Sequence, residues 1–242
     1  MARVALVTGG TRGIGHAISV ALKNAGYRVA ANYAGNDAAA QQFQAETGIP
    51  VFKWNVGDFD ACAAGIEQVT KEVGPVDVLV NNAGITRDAM LHRMTKEQWN
   101  EVINVDLDSL FNTSRHVIDG MRARSFGRII NVSSINGRKG QMGQTNYSAA
   151  KAGAHGFTKA LAYESANKGI TVNTIAPGYI ATEMVAAVPK EVLDTKIIPQ
   201  IPVGRLGESE EIARAVVFLA ADSAGFITGA CFDINGGHYM AT

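Results

Sequence analysis

The chain has 242 residues, of which 47% are hydrophobic, and a single α/β core can reach this size. The 22 Lys and Arg residues balance 22 Asp and Glu residues, so the formal net charge is zero. This balance excludes a global electrostatic attraction to nucleic acid or to an anionic membrane, and we expect neither as a partner. Cys62 and Cys231 stand apart from any CxxC pair or histidine cluster. We therefore expect no disulfide framework and no metal site.

In chain order, short apolar runs alternate with longer amphipathic stretches. The runs are rich in Val, Ile and Ala, which is typical of strands buried on both faces of a sheet. The predicted strands are Val4–Val7, Arg28–Tyr33, Val51–Asn55, Val76–Asn81, Arg128–Val132, Thr171–Ala176 and Ala230–Ile234. The predicted helices between them are Ile14–Ala25, Ala38–Thr47, Asp60–Val73, Thr95–Ala123, Tyr147–Asn167 and Ser209–Ala220.

This alternation indicates right-handed βαβ units. We therefore predict an α/β fold of the Rossmann type, with a doubly wound, seven-stranded parallel sheet and helices on both faces. One domain is expected to span residues 1–242, because no linker or repeat interrupts the pattern. The first strand pattern begins at once, without a secretory signal, which predicts a cytoplasmic protein.

The alternation stops from about residue 180 to 207. This segment follows the sixth predicted strand and carries Pro189, Pro199 and Pro202. A long excursion at the ligand-binding edge of a sheet is usually a lid or a substrate loop. We predict a substrate loop here; a surface insertion without function is the alternative.

A glycine-rich turn follows the first predicted strand and opens the first helix. Glycine permits a positive φ and a close approach of backbone to a pyrophosphate. The helix N-terminus adds free N–H groups and the positive end of a dipole. This position favours a dinucleotide site over a simple tight turn. The expected cofactor-binding residues in the turn are Gly9, Thr11, Arg12, Gly13, Ile14 and Gly15.

The end of the second predicted strand bears on the type of cofactor. NAD sites usually place an acid there to bind the ribose 2′-hydroxyl, but residues 29–35 contain none. Arg12 offers a cation for a 2′-phosphate, so NADP(H) is the expected cofactor. Arg12 as a solvated surface charge is the alternative, and Tyr33 could stack on adenine without discriminating between cofactors.

Small residues end the fourth predicted strand, in the order Asn81, Asn82, Ala83 and Gly84. They would let a ribose and a nicotinamide lie close to the backbone, although a plain strand-exit turn has the same composition. We therefore add Asn82, Ala83 and Gly84 to the expected cofactor site. Further cofactor contacts are expected at residues that end or follow other predicted strands, namely Asn55, Pro177, Gly178 and Ile180.

Ser134, Tyr147 and Lys151 are the candidate catalytic residues. The i,i+4 spacing places Tyr147 and Lys151 on one face of a helix. An ammonium group favours a phenolate and lowers the pKa of a tyrosine from about 10. Tyr147 could then protonate a developing alkoxide, while Lys151 also binds the cofactor ribose. Ser134 could donate to the substrate carbonyl. Tyr-x3-Lys alone is common on helix surfaces, but Ser134 and the glycine-rich turn indicate a reductase.

These motifs resemble the short-chain dehydrogenase/reductase family over nearly the whole chain, from Thr8 and Gly9 to Asn235, Gly236 and Gly237. In that family an Asn on the long fourth helix completes the catalytic set and holds a proton-relay water. Counted from Trp99, that position is Asp106 here, while Asn104 lies two residues away. A carboxylate can accept from water. The chain departs from the family pattern here, and we expect Asp106 to take over the water-holding role as a fourth catalytic residue; a cap of a helix kink or a partner of a surface cation is the alternative.

Within the family, three segments resemble the acetoacetyl-CoA reductases of polyhydroxybutyrate synthesis. They are residues 84–88, 135–144 and 177–185. The resemblance implies NADPH-dependent reduction of an acyl-CoA substrate, acetoacetyl-CoA, to (R)-3-hydroxybutyryl-CoA. Gln141, Gln144 and Tyr179 would line the acyl pocket together with Ser134. Relatives are typically homotetramers assembled through the long helices and the last strand, and the same is expected here.

Two other classes remain open. The 3-oxoacyl-ACP reductases share most of these motifs, and Arg124, Arg128 and Lys168 are candidate cations for docking an acyl carrier protein. The two glutamines would then belong to a polar loop with no ligand. A non-catalytic NADP sensor is more remote, because it would need neither Tyr147 nor Lys151.

Overall fold

The computed structural model describes residues 2–186 and 188–241. Seven parallel strands form one sheet in the order β3-β2-β1-β4-β5-β6-β7. The strands are β1 (Val4–Val7), β2 (Arg28–Tyr33), β3 (Val51–Lys53), β4 (Val78–Asn81), β5 (Gly127–Val132), β6 (Ile170–Pro177) and β7 (Cys231–Ile234). The predicted doubly wound sheet is confirmed. Strand order reverses between β1 and β4, where such sheets bind ligands.

Helices cover both faces of this sheet. They are α1 (Gly13–Asn24), α2 (Asp37–Thr47), α3 (Phe59–Glu72), α4 (Lys96–Ile103), α5 (Ser109–Arg124), α6 (Asn136–Lys139), α7 (Thr145–Ser165), α8 (Glu183–Ala186), α9 (Lys190–Val192) and α10 (Ser209–Ala220). In the described ranges, no helix is long and apolar enough to cross a membrane.

Two apolar layers sandwich the sheet. Ala5 and Val7 of β1 pack into one layer with helices α1 and α10. Val4 and Leu6 of the same strand pack into the other layer, against α3 and α5. Successive side chains of a strand point to opposite faces, so a strand covered on both sides reads as one unbroken apolar run.

The long helix predicted over Thr95–Ala123 is three segments. Helix α4 begins after Thr95, whose side chain accepts from the N–H of Gln98 in a capping box. A π-helical turn over Asn104–Asp108 then separates α4 from α5. Such turns insert one residue into the helical repeat and occur frequently at functional sites. The remaining predicted elements differ from the observed ones by two residues or fewer at each end, and α10 has the predicted bounds.

The predicted substrate loop is a closed excursion that contains helical turns. Ile180 and Gly207 pair in parallel at its base, and the N–H of Ala181 donates to the carbonyl of Gly207 at 2.8 Å. Helices α8 and α9 lie within it, followed by a π-helical turn at Leu193–Ile197. The two ends of the excursion are therefore fixed to each other, although the excursion interrupts the βα alternation.

Candidate active site

The carboxyl edge of the sheet collects the predicted functional residues. The glycine-rich turn follows β1, and residues Asn82 to Gly84 follow β4, the two strands that flank the reversal of strand order. Ser134 follows β5, and α7 carries Tyr147 and Lys151. A crevice forms at such a reversal. The fold therefore brings the predicted cofactor turn and the predicted catalytic groups to one place.

The glycine-rich turn has the backbone geometry that a phosphate site needs. Gly9 and Gly13 have φ values of 59° and 53°, in the left-handed region that side chains disfavour. A Cβ on Gly15 would collide with the carbonyl oxygen of Gly9, so α1 packs directly on the turn. Thr11 is buried and Ile14 is half-buried. The start of α1 at the turn fits the pyrophosphate of a dinucleotide.

Thr8 and Asn82 join the turn to the exit of β4. The Thr8 hydroxyl oxygen accepts from the N–H groups of Asn82 and Ala83, at 3.0 and 3.1 Å. The Asn82 side-chain amide donates to the carbonyls of Thr8 and Gly9, at 3.0 and 3.1 Å. Sequence reasoning did not assign Thr8. Its place as the first residue after β1 was the only signal.

The region expected to hold the adenosine end of the cofactor contains both a cation, Arg12, and an acid, Asp37. Arg12 has 65% of its side chain exposed, and its Nη1 lies 3.9 Å from Oε2 of Glu183. Asp37, at the start of α2, hydrogen-bonds to the Tyr33 hydroxyl and lies 2.9 Å from Lys53 Nζ. Sequence reasoning considered only the strand and the two residues after it, and so missed this acid. Because Lys53 compensates the Asp37 charge, the acid does not exclude a 2′-phosphate.

The other predicted cofactor contacts lie along the same edge. Asn55 is exposed after β3, and Pro177 is the last residue of β6. A Cβ on Gly178 would lie 2.7 Å from Cα of Asn235, so only glycine fits between these two backbones. Ile180 is buried at the base of the excursion. These four positions therefore flank the crevice on the sides of β3 and β6.

Ser134, Tyr147 and Lys151 form one cluster. Nζ of Lys151 lies 5.5 Å from the centre of the Tyr147 ring, as the i,i+4 spacing predicts. The Ser134 hydroxyl favours the phenolate form of Tyr147 and so lowers its pKa, and Ser134 Oγ accepts from the N–H of Asn136 at 3.1 Å. Lys151 is buried and donates to the carbonyl of Val132 at 3.2 Å. The fold therefore brings the three predicted catalytic residues together at one place.

Asp106 contacts Lys151 directly. The π-helical turn carries its side chain inward, where it is fully buried. Oδ2 lies 3.2 Å from Lys151 Nζ, and Oδ1 accepts from the N–H of Ile85 at 2.8 Å. A Cβ on Gly84 would lie only 2.8 Å from Oδ2. The carboxylate is thus coupled to Lys151 without a bridging water.

Burial sets the protonation states in this cluster. Burial raises the pKa of Tyr147 above its ordinary value, and Lys151 and Ser134 offset that rise only in part. Lys151 lowers the Tyr147 pKa as expected, but burial outweighs this effect and the net shift is upward. Burial alone would lower the pKa of Lys151, but Asp106 and Tyr147 hold it above its ordinary value. At neutral pH Tyr147 keeps its proton, the form that a proton donor needs.

The predicted acyl-pocket residues are held by hydrogen bonds and ring stacking. The Gln144 amide donates to Asp88 at 2.8 Å, and its carbonyl oxygen accepts from Asn136 at 2.9 Å. The half-buried Tyr179 ring stacks on His238 at 5.8 Å. Gln141 precedes Gln144, and its backbone carbonyl accepts from the Gln144 N–H at 3.1 Å. Both glutamines therefore belong to one ordered loop.

A row of buried polar side chains runs beneath the site. The Asn81 amide donates to Asn131 at 2.9 Å, and the Asn131 amide donates to Thr158 at 2.9 Å. The hydroxyls of Thr158 and Thr174 lie 2.7 Å apart. The Thr113 hydroxyl donates to Asn81 at 2.7 Å. This row connects α5, β4, β5, β6 and α7.

Two of the three candidate docking cations have structural roles instead. Arg128 is 3% exposed and donates to main-chain carbonyls, including those of Ala221 and Asp222 at 3.2 Å. Arg124 lies 3.2 Å from a carboxylate oxygen of Asp77. The interpretation of Arg128 as a docking cation is wrong, because its guanidinium is enclosed at the amino end of β5. Lys168 remains exposed.

The chain is similar in sequence to a known family and to reductases of bacteria. A family model described as enoyl-(acyl carrier protein) reductase matches residues 9–239. The chain is 69% identical over 240 residues to acetoacetyl-CoA reductase of Shinella zoogloeoides, with 99% of this chain and 100% of that protein covered. It is 68% identical over 241 residues to acetoacetyl-CoA reductase of Rhizobium meliloti (strain 1021), with both chains covered completely. It is 46% identical over 240 residues to 3-oxoacyl-(acyl-carrier-protein) reductase of Vibrio harveyi, with 98% of each covered.

Proposed function

The chain belongs to the short-chain dehydrogenase/reductase family, and on that premise we propose that it reduces acetoacetyl-CoA to (R)-3-hydroxybutyryl-CoA with NADPH. The observation that carries the proposal is the cluster of Ser134, Tyr147 and Lys151 beside a phosphate-binding turn. Relatives at 69% and 68% identity named acetoacetyl-CoA reductase support the choice of substrate. The named carrier-protein reductase is less similar, at 46%.

The three side chains can carry out a carbonyl reduction. The hydroxyls of Ser134 and Tyr147 donate to the carbonyl oxygen of the substrate and stabilise the charge that develops on it. A nicotinamide cofactor held by the glycine-rich turn and the exit of β4 would supply the hydride for the carbonyl carbon. Tyr147 gives its proton to the resulting alkoxide. The Lys151 ammonium stabilises the phenolate that remains, and Asp106 holds that ammonium in place.

The preference for NADPH depends on Arg12. Arg12 belongs to the glycine-rich turn, and its guanidinium is largely exposed. It can therefore contact a 2′-phosphate. The nearest acid to β2, Asp37, is compensated by Lys53. We assign Arg12 as the 2′-phosphate ligand on these grounds.

We assign the acyl group to the pocket formed by Gln141, Gln144 and Tyr179. Gln144 is held by Asp88 and Asn136, which fixes a polar wall next to Tyr147. The half-buried Tyr179 supplies an aromatic wall. A short polar acyl group such as acetoacetyl suits this combination of walls.

A homotetramer is part of the proposal. On the outer face of α5 and α7, Phe111 and Tyr163 have 53% and 91% of their surface exposed. Near the last strand, Phe218 and Phe226 are 55% and 101% exposed. Large exposed aromatic residues of this kind commonly mark subunit interfaces. Sedimentation equilibrium of the purified chain tests the stoichiometry.

A comparison of four substrates tests the activity. NADPH consumption is followed with acetoacetyl-CoA, acetoacetyl-pantetheine, acetoacetyl-acyl carrier protein and crotonyl-CoA. We expect the highest kcat/KM with acetoacetyl-CoA and an (R) product by chiral chromatography. A higher kcat/KM with the carrier protein would favour a 3-oxoacyl-carrier-protein reductase. Turnover of crotonyl-CoA alone would favour the enoyl reductase that the matching family model describes.

A further inference from the structure

Asp106 places a negative charge in the interior next to the cation of the catalytic cluster. Its side chain has no exposed surface. One carboxylate oxygen accepts from the N–H of Ile85 and the other contacts Lys151 Nζ. Burial raises the pKa of Asp106, and the contacts with Lys151 and the Ile85 N–H oppose that rise and favour the ionised form. The Asp106–Lys151 pair is therefore an ion pair with no net charge.

The Asp106–Lys151 pair lies directly under the backbone of Gly84. A Cβ on Gly84 would lie 2.8 Å from Asp106 Oδ2 and 3.2 Å from Lys151 Nζ. Gly84 itself is exposed to the crevice. Only backbone thus separates the carboxylate from a ligand bound along the exit of β4.

The geometry of the proposed reaction requires the nicotinamide ring to lie in the crevice next to Gly84. Hydride transfer requires the ring within about 3.5 Å of the carbonyl carbon, whose oxygen is within hydrogen-bonding reach of Tyr147. The Tyr147 ring centre is 5.5 Å from Lys151 Nζ, which is 3.2 Å from Asp106. Only the Gly84 backbone then separates the ring from the Asp106–Lys151 pair, and we take about 10 Å as the scale of the distance between the ring and the carboxylate.

We propose that Asp106 makes the site favour the oxidised form of its nicotinamide cofactor over the reduced form. The inference rests on the proposed function, because it assigns the cofactor to this crevice. Loss of a hydride leaves the nicotinamide ring with one positive charge that the reduced ring lacks. With Asp106 ionised, that ring meets a neutral pair; without the carboxylate it would meet the uncompensated charge of Lys151.

This charge arrangement changes the equilibrium between bound reactants and bound products and leaves the overall equilibrium of the reaction unchanged. In ketone reduction the cofactor passes from its neutral ring to its cationic ring as the ketone becomes an alcohol. Stabilising the cationic ring favours the alcohol side of the equilibrium between bound species. The same stabilisation makes the oxidised cofactor a stronger product inhibitor. One charge at about 10 Å in an effective dielectric of about 20 changes a binding constant roughly tenfold.

Asp106→Asn tests the proposal, since an amide oxygen can still accept from Ile85. Calorimetric titrations measure the Kd of NADP⁺ and of NADPH for each protein. We expect Asp106→Asn to raise the ratio of Kd for NADP⁺ to Kd for NADPH about tenfold. The matched control is Asp108→Asn, which removes the same charge from the same π-helical turn at an exposed position. Its ratio should stay within about twofold of wild type, because solvent screens an exposed charge.

The outcomes separate this inference from the proposed function. An unchanged ratio in Asp106→Asn would overturn the inference, even in an active enzyme. Equal weakening of both cofactor forms would also overturn it, because that result indicates only a structural role. If wild-type protein binds neither NADPH nor NADP⁺, the proposed function fails first.

Discussion

Replacing Gly84 by Ala adds one methyl group directly above the Asp106–Lys151 pair. The new Cβ would lie 2.8 Å from Asp106 Oδ2 and 3.2 Å from Lys151 Nζ, so the pair must move. Both partners are buried, and such overpacking costs about 1–3 kcal/mol. Displacement of a catalytic group by about 1 Å costs roughly a hundredfold in rate. We therefore expect kcat/KM for ketone reduction to fall about tenfold to a hundredfold.

Steady-state reduction of acetoacetyl-CoA measures this effect, with thermal unfolding as a check on the fold. Gly156→Ala is the matched control. It lies on the same helix as Lys151, and no atom lies within 4 Å of its added Cβ. This control should keep wild-type kcat/KM. A Gly84→Ala protein with kcat/KM within about twofold of wild type would refute the argument that the pair lies against this backbone.

Three further predictions concern the same site. Tyr147→Phe should reduce turnover by at least about a hundredfold with NADPH affinity nearly unchanged, because the ring remains and the proton donor is lost; substantial residual turnover would show that another group is the acid. Arg12→Ala should weaken NADPH far more than NADH in fluorescence titrations, whereas equal losses would exclude Arg12 as the 2′-phosphate ligand. Asp106→Asn should retain most activity. Asp106 raises the pKa of both Tyr147 and Lys151, so its neutralisation should move the basic limb of the pH–rate profile to lower pH; an unmoved limb with unchanged turnover would contradict this coupling.

Local patterns predicted the fold and the central cluster well. The strands are continuous apolar runs because both faces of the sheet are covered, and that pattern is visible in the sequence. Tyr147 and Lys151 could be paired because a spacing of four residues has one meaning on a helix. The glycine-rich turn could be placed because a strand precedes it and a helix follows it.

Features that depend on distant contacts could not be predicted. Arg128 is enclosed by carbonyls more than 90 residues away, at Ala221 and Asp222, and its sequence neighbours give no sign of this. The π-helical turn directs Asp106 inward, but the apolar pattern of the sequence shows only one continuous helix there. The effect of Lys151 on the Tyr147 pKa could be predicted from the spacing, but the burial that outweighs it could not.

The polar row beneath the site also determines which positions helix α7 can occupy. An apolar helix face can slide against a sheet at little cost, because one methyl group replaces another. Helix α7 cannot slide in this way, because its Thr158 hydrogen-bonds to Asn131 and Thr174. A shift by one helical turn of about 5.4 Å would leave buried amides and hydroxyls without partners. Lys151 lies two turns earlier on the same helix. The interior polar row thus fixes the position of the Lys151 ammonium group along the sheet.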